Sequence, residues 1–165
     1  MRMKNLQGFT LMELLVVIVI LALLIAFAAP QVLNLLESGQ QDTFRNEAKS
    51  MISIMENAYA AKSMSGSSDI KAGTCNGVSC RTLCMTLEEL KNQGFLDKDL
   101  GSGATGWKGY VRVEVPVTGA AIYYISITNG TYYLPKVESD DIDSTEIVSN
   151  NIPSSITCPT QAAST

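Results

Sequence analysis

The sequence predicts an α+β fold in which a long N-terminal α-helix, its first half suited to a membrane, packs through its second half against an antiparallel β-meander of three to four strands. Three observations predict it. From Leu14 to Leu36 no residue is charged, and that run exceeds the roughly 20 residues a helix needs to cross the hydrocarbon core of a bilayer. Beyond it, Phe44, Ala48, Met51, Ile52, Met55 and Tyr59 recur at three- and four-residue steps while Arg45, Lys49, Ser53 and Glu56 fall elsewhere, the stripe of a helix with one buried face. Between Tyr110 and Glu138, short runs rich in Val, Ile and Tyr are separated by Gly-containing turn signals, as in antiparallel strands.

The N-terminal element is unusual because Glu13 places one carboxylate at the start of an apolar segment. Ionised in lipid, such a group costs several kcal/mol unless something compensates. A cut after Gly8 would create one compensating group, since the new amine of Phe9 would stand four residues before Glu13, on the same helix face. A neighbouring copy could supply the same amine. Arg2 and Lys4 precede the run, so the positive-inside rule keeps them in the cytoplasm and places the C-terminal domain outside. An ordinary secretory signal fits less well, because its apolar core spans only about 7–15 residues.

The leader Met1 to Gly8, then Gly8-Phe9-Thr10-Leu11-Met12-Glu13 and the apolar run, resembles the processing site of type IV pilins and pseudopilins, with its class III leader. The resemblance covers the first third of the chain closely and the rest in outline. It implies a pilin-like fold, cleavage between Gly8 and Phe9 by a prepilin peptidase, N-methylation of Phe9, and Glu13 as the acid that docks subunits. Pro30 also fits the family pattern, and a proline inside a helix removes a hydrogen bond and kinks or loosens the turn before it; with Gly39 it would mark the weak points of the stem. The implied domain organisation is a leader over 1–8, a transmembrane and polymerisation half of the helix over 9–36, and an extracellular head over 37–165. Implied partners are further copies of the chain in a filament, the peptidase, the pilus assembly machinery, and the cytoplasmic membrane before assembly.

At 165 residues, the chain beyond the membrane segment can support one small domain. Its net charge of −4 and the lack of a basic run past the leader give no reason to expect a specific nucleic-acid partner. No His is present to serve as a base, and no phosphate-cradling glycine motif occurs, so no enzymatic activity and no cofactor are expected. Cys75, Cys80, Cys84 and Cys158 form an even set in an exported domain, which favours disulfides. Three pairings are open to four cysteines; a local Cys75 to Cys80 bridge with a long Cys84 to Cys158 bridge is preferred because it pins a polar tail. Zinc binding lacks a second close Cys pair.

Along the rest of the chain, the helix is expected from about Thr10 to Lys62, with its stripe read as a core face and not a ligand groove. Ser63 to Thr74, rich in Ser and Gly, reads as an exposed loop. Thr86 to Gln93 reads as a short helix with Thr86 and Glu89 as a capping box and Gly94 as the stop. Gly101 to Gly109 is a glycine-rich connection whose Trp107 reads as a packing anchor. Strands are expected over Tyr110 to Val115, Ala121 to Thr128 and Thr131 to Glu138, with a turn at Thr118-Gly119 and a two-residue hairpin at Asn129-Gly130. Asn129-Gly130-Thr131 also matches a glycosylation acceptor, which the turn explains better. Glu138, Asp140, Asp141, Asp143 and Glu146 suggest a solvated acidic loop; calcium loops occur in major pseudopilins, but the glycine and distal Glu of a helix-loop-helix calcium motif are missing, so no metal is expected.

These features together point to a pilus subunit for adhesion, motility or DNA uptake. The rival readings are a pseudopilin of a type II secretion or competence system, and a scarce tip subunit whose Ser63 to Gly77 loop or Cys-bounded tail binds a surface or DNA.

Overall fold

The computed structural model describes residues 10–96 and 106–159. Helix α1, Leu11–Met64, is followed by β1 (Lys71–Cys75), β2 (Val78–Thr86), α2 (Leu87–Asn92), β3 (Lys108–Pro116), β4 (Ile122–Thr128), β5 (Tyr133–Glu138) and a 3₁₀ turn, Ser139–Asp141. The strands form one antiparallel sheet in the order β1-β2-β3-β4-β5. The chain falls into two compact units, Met1–Gln40 and Gln41–Thr165.

In the second unit, the stripe of α1 becomes the core. Phe44, Ala48, Met51, Ile52, Met55 and Ala58 are buried with Leu83 and Met85 of β2, Val111 and Val113 of β3, Ile125 and Ile127 of β4, and Leu134 and Val137 of β5. Alternation along each strand sends these side chains to one face. On β5 the alternation breaks, because Leu134 and Val137 are three residues apart and yet both buried. A register shift explains it: Ile125 pairs with Val137 but Ile127 pairs with Leu134, so β5 carries an extra residue between them. Pro135 sits within that irregularity on an edge strand, where a missing amide does least harm.

α1 outruns its expected end by two residues. It closes with Gly66 in a left-handed conformation, the amide of Ser67 donating to the Lys62 carbonyl at 3.0 Å and that of Gly66 to the Ser63 carbonyl. α2 stops the same way. The Phe95 amide reaches the Leu90 carbonyl at 2.9 Å and the Gly94 amide reaches Lys91, while Thr86 and Glu89 form the capping box reciprocally.

Three sequence expectations are corrected. The sheet has five strands, not three or four, because the supposed loop Ser63 to Thr74 includes most of β1, which pairs with β2 through the two-residue turn Asn76-Gly77. Both turn residues have positive φ, 50° and 81°, the geometry that closes a two-residue hairpin with the right twist. Second, Asn129-Gly130 is not a two-residue hairpin: the closing pair is Thr128 with Tyr133, leaving a four-residue loop. The Asn129 side-chain oxygen accepts from the amides of Thr131 and Tyr132, and Thr128 Oγ1 donates to the Tyr132 carbonyl at 2.7 Å, so side chains rather than a tight backbone turn set the loop. Third, β3 begins at Lys108, inside the supposed glycine-rich connection. Trp107 there stacks on Phe44 with centroids 5.3 Å apart and packs against the core.

Gly109 makes this register possible. It pairs with Ile127, and a Cβ built on it would lie 2.2 Å from the Ser126 carbonyl oxygen, at a φ of 143°. Gly109→Ala should therefore destabilise the chain by about 3 kcal/mol or more, combining overpacking with an unfavourable backbone angle, as read from the urea midpoint of the detergent-solubilised protein.

The end of α1 is tied to the connection just before β1 by the buried Lys62 ammonium, which donates to Asp69. That bond, then one from Ser67, holds the Asp69 carboxyl below its ordinary value. A lowered folded-state value contributes stability that is complete above about pH 4 and lost as pH falls through the folded value. Asp69→Asn should flatten the acid limb of the stability profile below pH 4 and leave stability at pH 7 only slightly reduced.

Candidate assembly site

Within the first unit, α1 begins at Leu11 and Thr10 stands just outside it. The Thr10 hydroxyl oxygen accepts from the Glu13 amide at 3.2 Å, and the Thr10 carbonyl accepts from the amides of Glu13 at 3.1 Å and Leu14 at 3.2 Å. This is N-capping, which satisfies donors that the first helical turn otherwise leaves open. Glu13 lies in that first turn, where the partial positive charge of the helix end favours an acid. Among the described residues, its carboxylate makes no hydrogen bond or ion pair. Gly8 and Phe9, the expected cleavage and methylation positions, lie outside the described residues.

Every large apolar side chain described from Leu11 to Leu36 is exposed, from 45% at Val16 to 82% at Leu11. That is more contiguous apolar surface than a soluble monomer leaves in water. Among the described residues, no single helix is long and apolar enough to cross a membrane; by length and composition, Leu11–Phe27 and Gln31–Met64 meet the requirement together as a bent pair. Pro30 belongs to the interval between those two stretches.

The second unit presents a sheet face turned away from α1. One cross-strand row on it runs Cys84, Arg112, Tyr124, Glu138. Arg112 bonds Glu114 at 2.6 Å, both side chains nearly buried at 13% and 12% exposure, and the buried Nε of Arg112 has no partner. The Lys136 ammonium stands 4.6 Å from the Tyr124 ring centroid. Burial, then the charges of Glu114 and Glu138, raises the Tyr124 hydroxyl above its usual value. This is a structural polar row with no nucleophile and base in contact. A shallow pocket of about 180 Å³ lined by Asp69, Lys71, Leu83, Cys84, Met85, Glu89 and Gln93 falls short of the roughly 300–1,000 Å³ of small-molecule sites; Glu89 is already committed to its capping box.

The acidic segment is organised by α1. Arg45 donates to the carbonyls of Ile142 at 3.3 Å and Thr145 at 2.9 Å, and Lys49 pairs with Asp143 at 2.6 Å. The Asp141 carbonyl gathers the amide and hydroxyl of Thr145 and those of Ser144. Among the described residues, no three Asp, Glu, Cys or His side chains converge on a metal-sized site. Sequence reasoning missed the Arg45 clamp, since nothing local links position 45 to carbonyls about a hundred residues later.

The structure joins Cys75 to Cys80 across the Asn76-Gly77 turn and Cys84 to Cys158 between β2 and the tail. After Val148, whose backbone pairs with Tyr133, the tail has no regular structure up to Pro159. The loops closed are 5 and 74 residues in sequence separation. In the chain-entropy picture, removing the short bridge costs about 2 kcal/mol and removing the long one about 4 kcal/mol. Paired Cys→Ser variants should reproduce that order in urea midpoints; equal losses would mean that loop length does not set what each bridge contributes.

The family model of the prokaryotic N-terminal methylation motif matches residues 3–29 of the chain. No curated protein and no solved structure matches it.

Proposed function

From the premise that residues 3–29 carry the class III leader of type IV pilins and pseudopilins, we propose that the chain is the structural subunit of a type IV pilus, serving adhesion, motility or DNA uptake. The observation that carries this reading is the leader's position directly before a stem whose large apolar side chains, Leu11 to Leu36, are all exposed. Prepilin peptidase removes residues 1–8, Phe9 is N-methylated, and the stem waits in the cytoplasmic membrane with the head outside. The assembly machinery then moves the stem from lipid into the centre of a fibre built from identical copies.

Lipid is as apolar as the stems, so burial alone does not favour the fibre; close packing and polar pairing must. Glu13 supplies the pairing. In lipid its charge costs several kcal/mol, and a neighbour's Phe9 amine removes that cost. Methylation leaves the amine cationic and therefore able to pair. Pro30 is the stem's weak point, where helical hydrogen bonds give way as the copies pack.

Glu13→Ala should insert in the membrane at wild-type levels and yield few or no fibres, scored by sheared-filament yield and microscopy. Glu13→Gln, which keeps the shape and removes the charge, should behave like the Ala variant. Normal fibres from both would remove Glu13 from the mechanism.

A further inference from the structure

The chain holds two Asn-Gly dipeptides, Asn76-Gly77 and Asn129-Gly130, and the head bonds them very differently. We propose that Asn76 is a modification site, deamidating spontaneously in the folded head, while Asn129 is held unreactive by the hydrogen bonds of its own loop.

An asparagine loses its side-chain amide when the backbone nitrogen of the next residue attacks Cγ. A bond forms from that nitrogen to Cγ, the Cγ–Nδ2 bond breaks, and Nδ2 leaves as ammonia with the proton that the backbone nitrogen gives up. Water then opens the succinimide ring at one carbonyl or the other, leaving aspartate or isoaspartate. No oxidant, metal or enzyme takes part. A following glycine favours the attack, because without a Cβ it neither shields the nitrogen nor resists the backbone rotation that brings it to Cγ. The reaction thus needs a free side-chain amide, a free glycine N–H, and a backbone that can turn.

Asn76 meets these conditions. It and Gly77 are exposed, and among the described residues neither the Asn76 side chain nor the Gly77 amide makes a hydrogen bond. Turning the tip opens the closing hairpin pair, Cys75 with Val78, while the Cys75–Cys80 disulfide keeps the strand ends together. At Asn129 the same atoms are taken. Its Oδ1 accepts from the amides of Thr131 at 3.0 Å and Tyr132 at 2.8 Å, and the Gly130 amide donates to Thr128 Oγ1 at 3.0 Å. All of these bonds must break before Cγ and the attacking nitrogen can move together. Breaking one or two net hydrogen bonds beforehand slows a reaction roughly tenfold, so Asn129 reacts at least about tenfold more slowly than Asn76. Deamidation puts a carboxylate at the hairpin tip, and isoaspartate lengthens the backbone of a tight turn. In the proposed function a subunit is not replaced within its fibre, so the modified fraction rises with fibre age.

The test follows the full-length chain in detergent, disulfides intact, through a long incubation in mildly alkaline buffer. A parallel sample is reduced and unfolded in guanidinium chloride. Peptide mapping by mass spectrometry reads the deamidated fraction at positions 76 and 129 over time. The expected result is a rate at Asn76 at least about tenfold that at Asn129 in the folded chain, and nearly equal rates in the unfolded one. A folded chain in which Asn129 reacts as fast as Asn76 overturns the inference. So does one in which Asn76 stays intact while both sites react on unfolding. A preference for Asn76 that is as large in the unfolded chain overturns it too, because neighbouring sequence and not the turn would then be the cause.

Discussion

The constraint on which the molecule depends is that the large apolar side chains described from Leu11 to Leu36 are all exposed, with no packing partner that buries them among the described residues. A helix that is apolar on all sides is stable only in lipid or among other helices. Everything distinctive about the first unit answers to that condition: the uncharged run, the acid in the first turn, and the cap that fixes where the helix starts. In the proposed function, Glu13 is the exception that gives direction. A fully apolar stem would remain in the membrane, whereas an acid there favours any arrangement that brings it a cation.

The second unit solves a different problem with the same helix. From Phe44 onward only one face is apolar, and that face supplies the centre of a small α+β core. Long-range ties hold the irregular segment after β5: Arg45 gathers the carbonyls of Ile142 and Thr145, Lys49 takes Asp143, and Cys84 holds Cys158. Each matters because residues after Glu138 have little regular secondary structure to order them. The acids that invite a calcium reading lie in a segment arranged by two cations of α1 and by its own backbone.

Local physics was legible in the sequence. The stripe of α1, the Thr86 and Glu89 box with Gly94, and the alternation of Val111, Val113 and Val115 all rest on spacings within a few residues. The β1–β2 hairpin carried the same Asn-Gly signal as the later turn, but Ser- and Gly-rich composition around it outweighed that signal. At Asn129 the reverse occurred, because the side-chain bonds of Asn129 and Thr128 widened a loop that the dipeptide alone would have made tight. Partners distant in sequence were invisible: the Arg45 clamp, the Lys49–Asp143 pair, and the extra residue in β5 opposite Ile125 to Ile127. At the stem, the leader motif and Glu13 could be read from adjacent residues, and the capping role of Thr10 required the helix start to be seen.

The central claim is that this stem leaves lipid for the company of its own kind. Its most direct measurement is the intact mass of the chain recovered from filaments sheared off the cell surface. The account predicts one dominant species that begins at N-methylated Phe9, lacks residues 1–8 and holds two disulfides. A chain found only in the membrane fraction, still beginning at Met1, would contradict it.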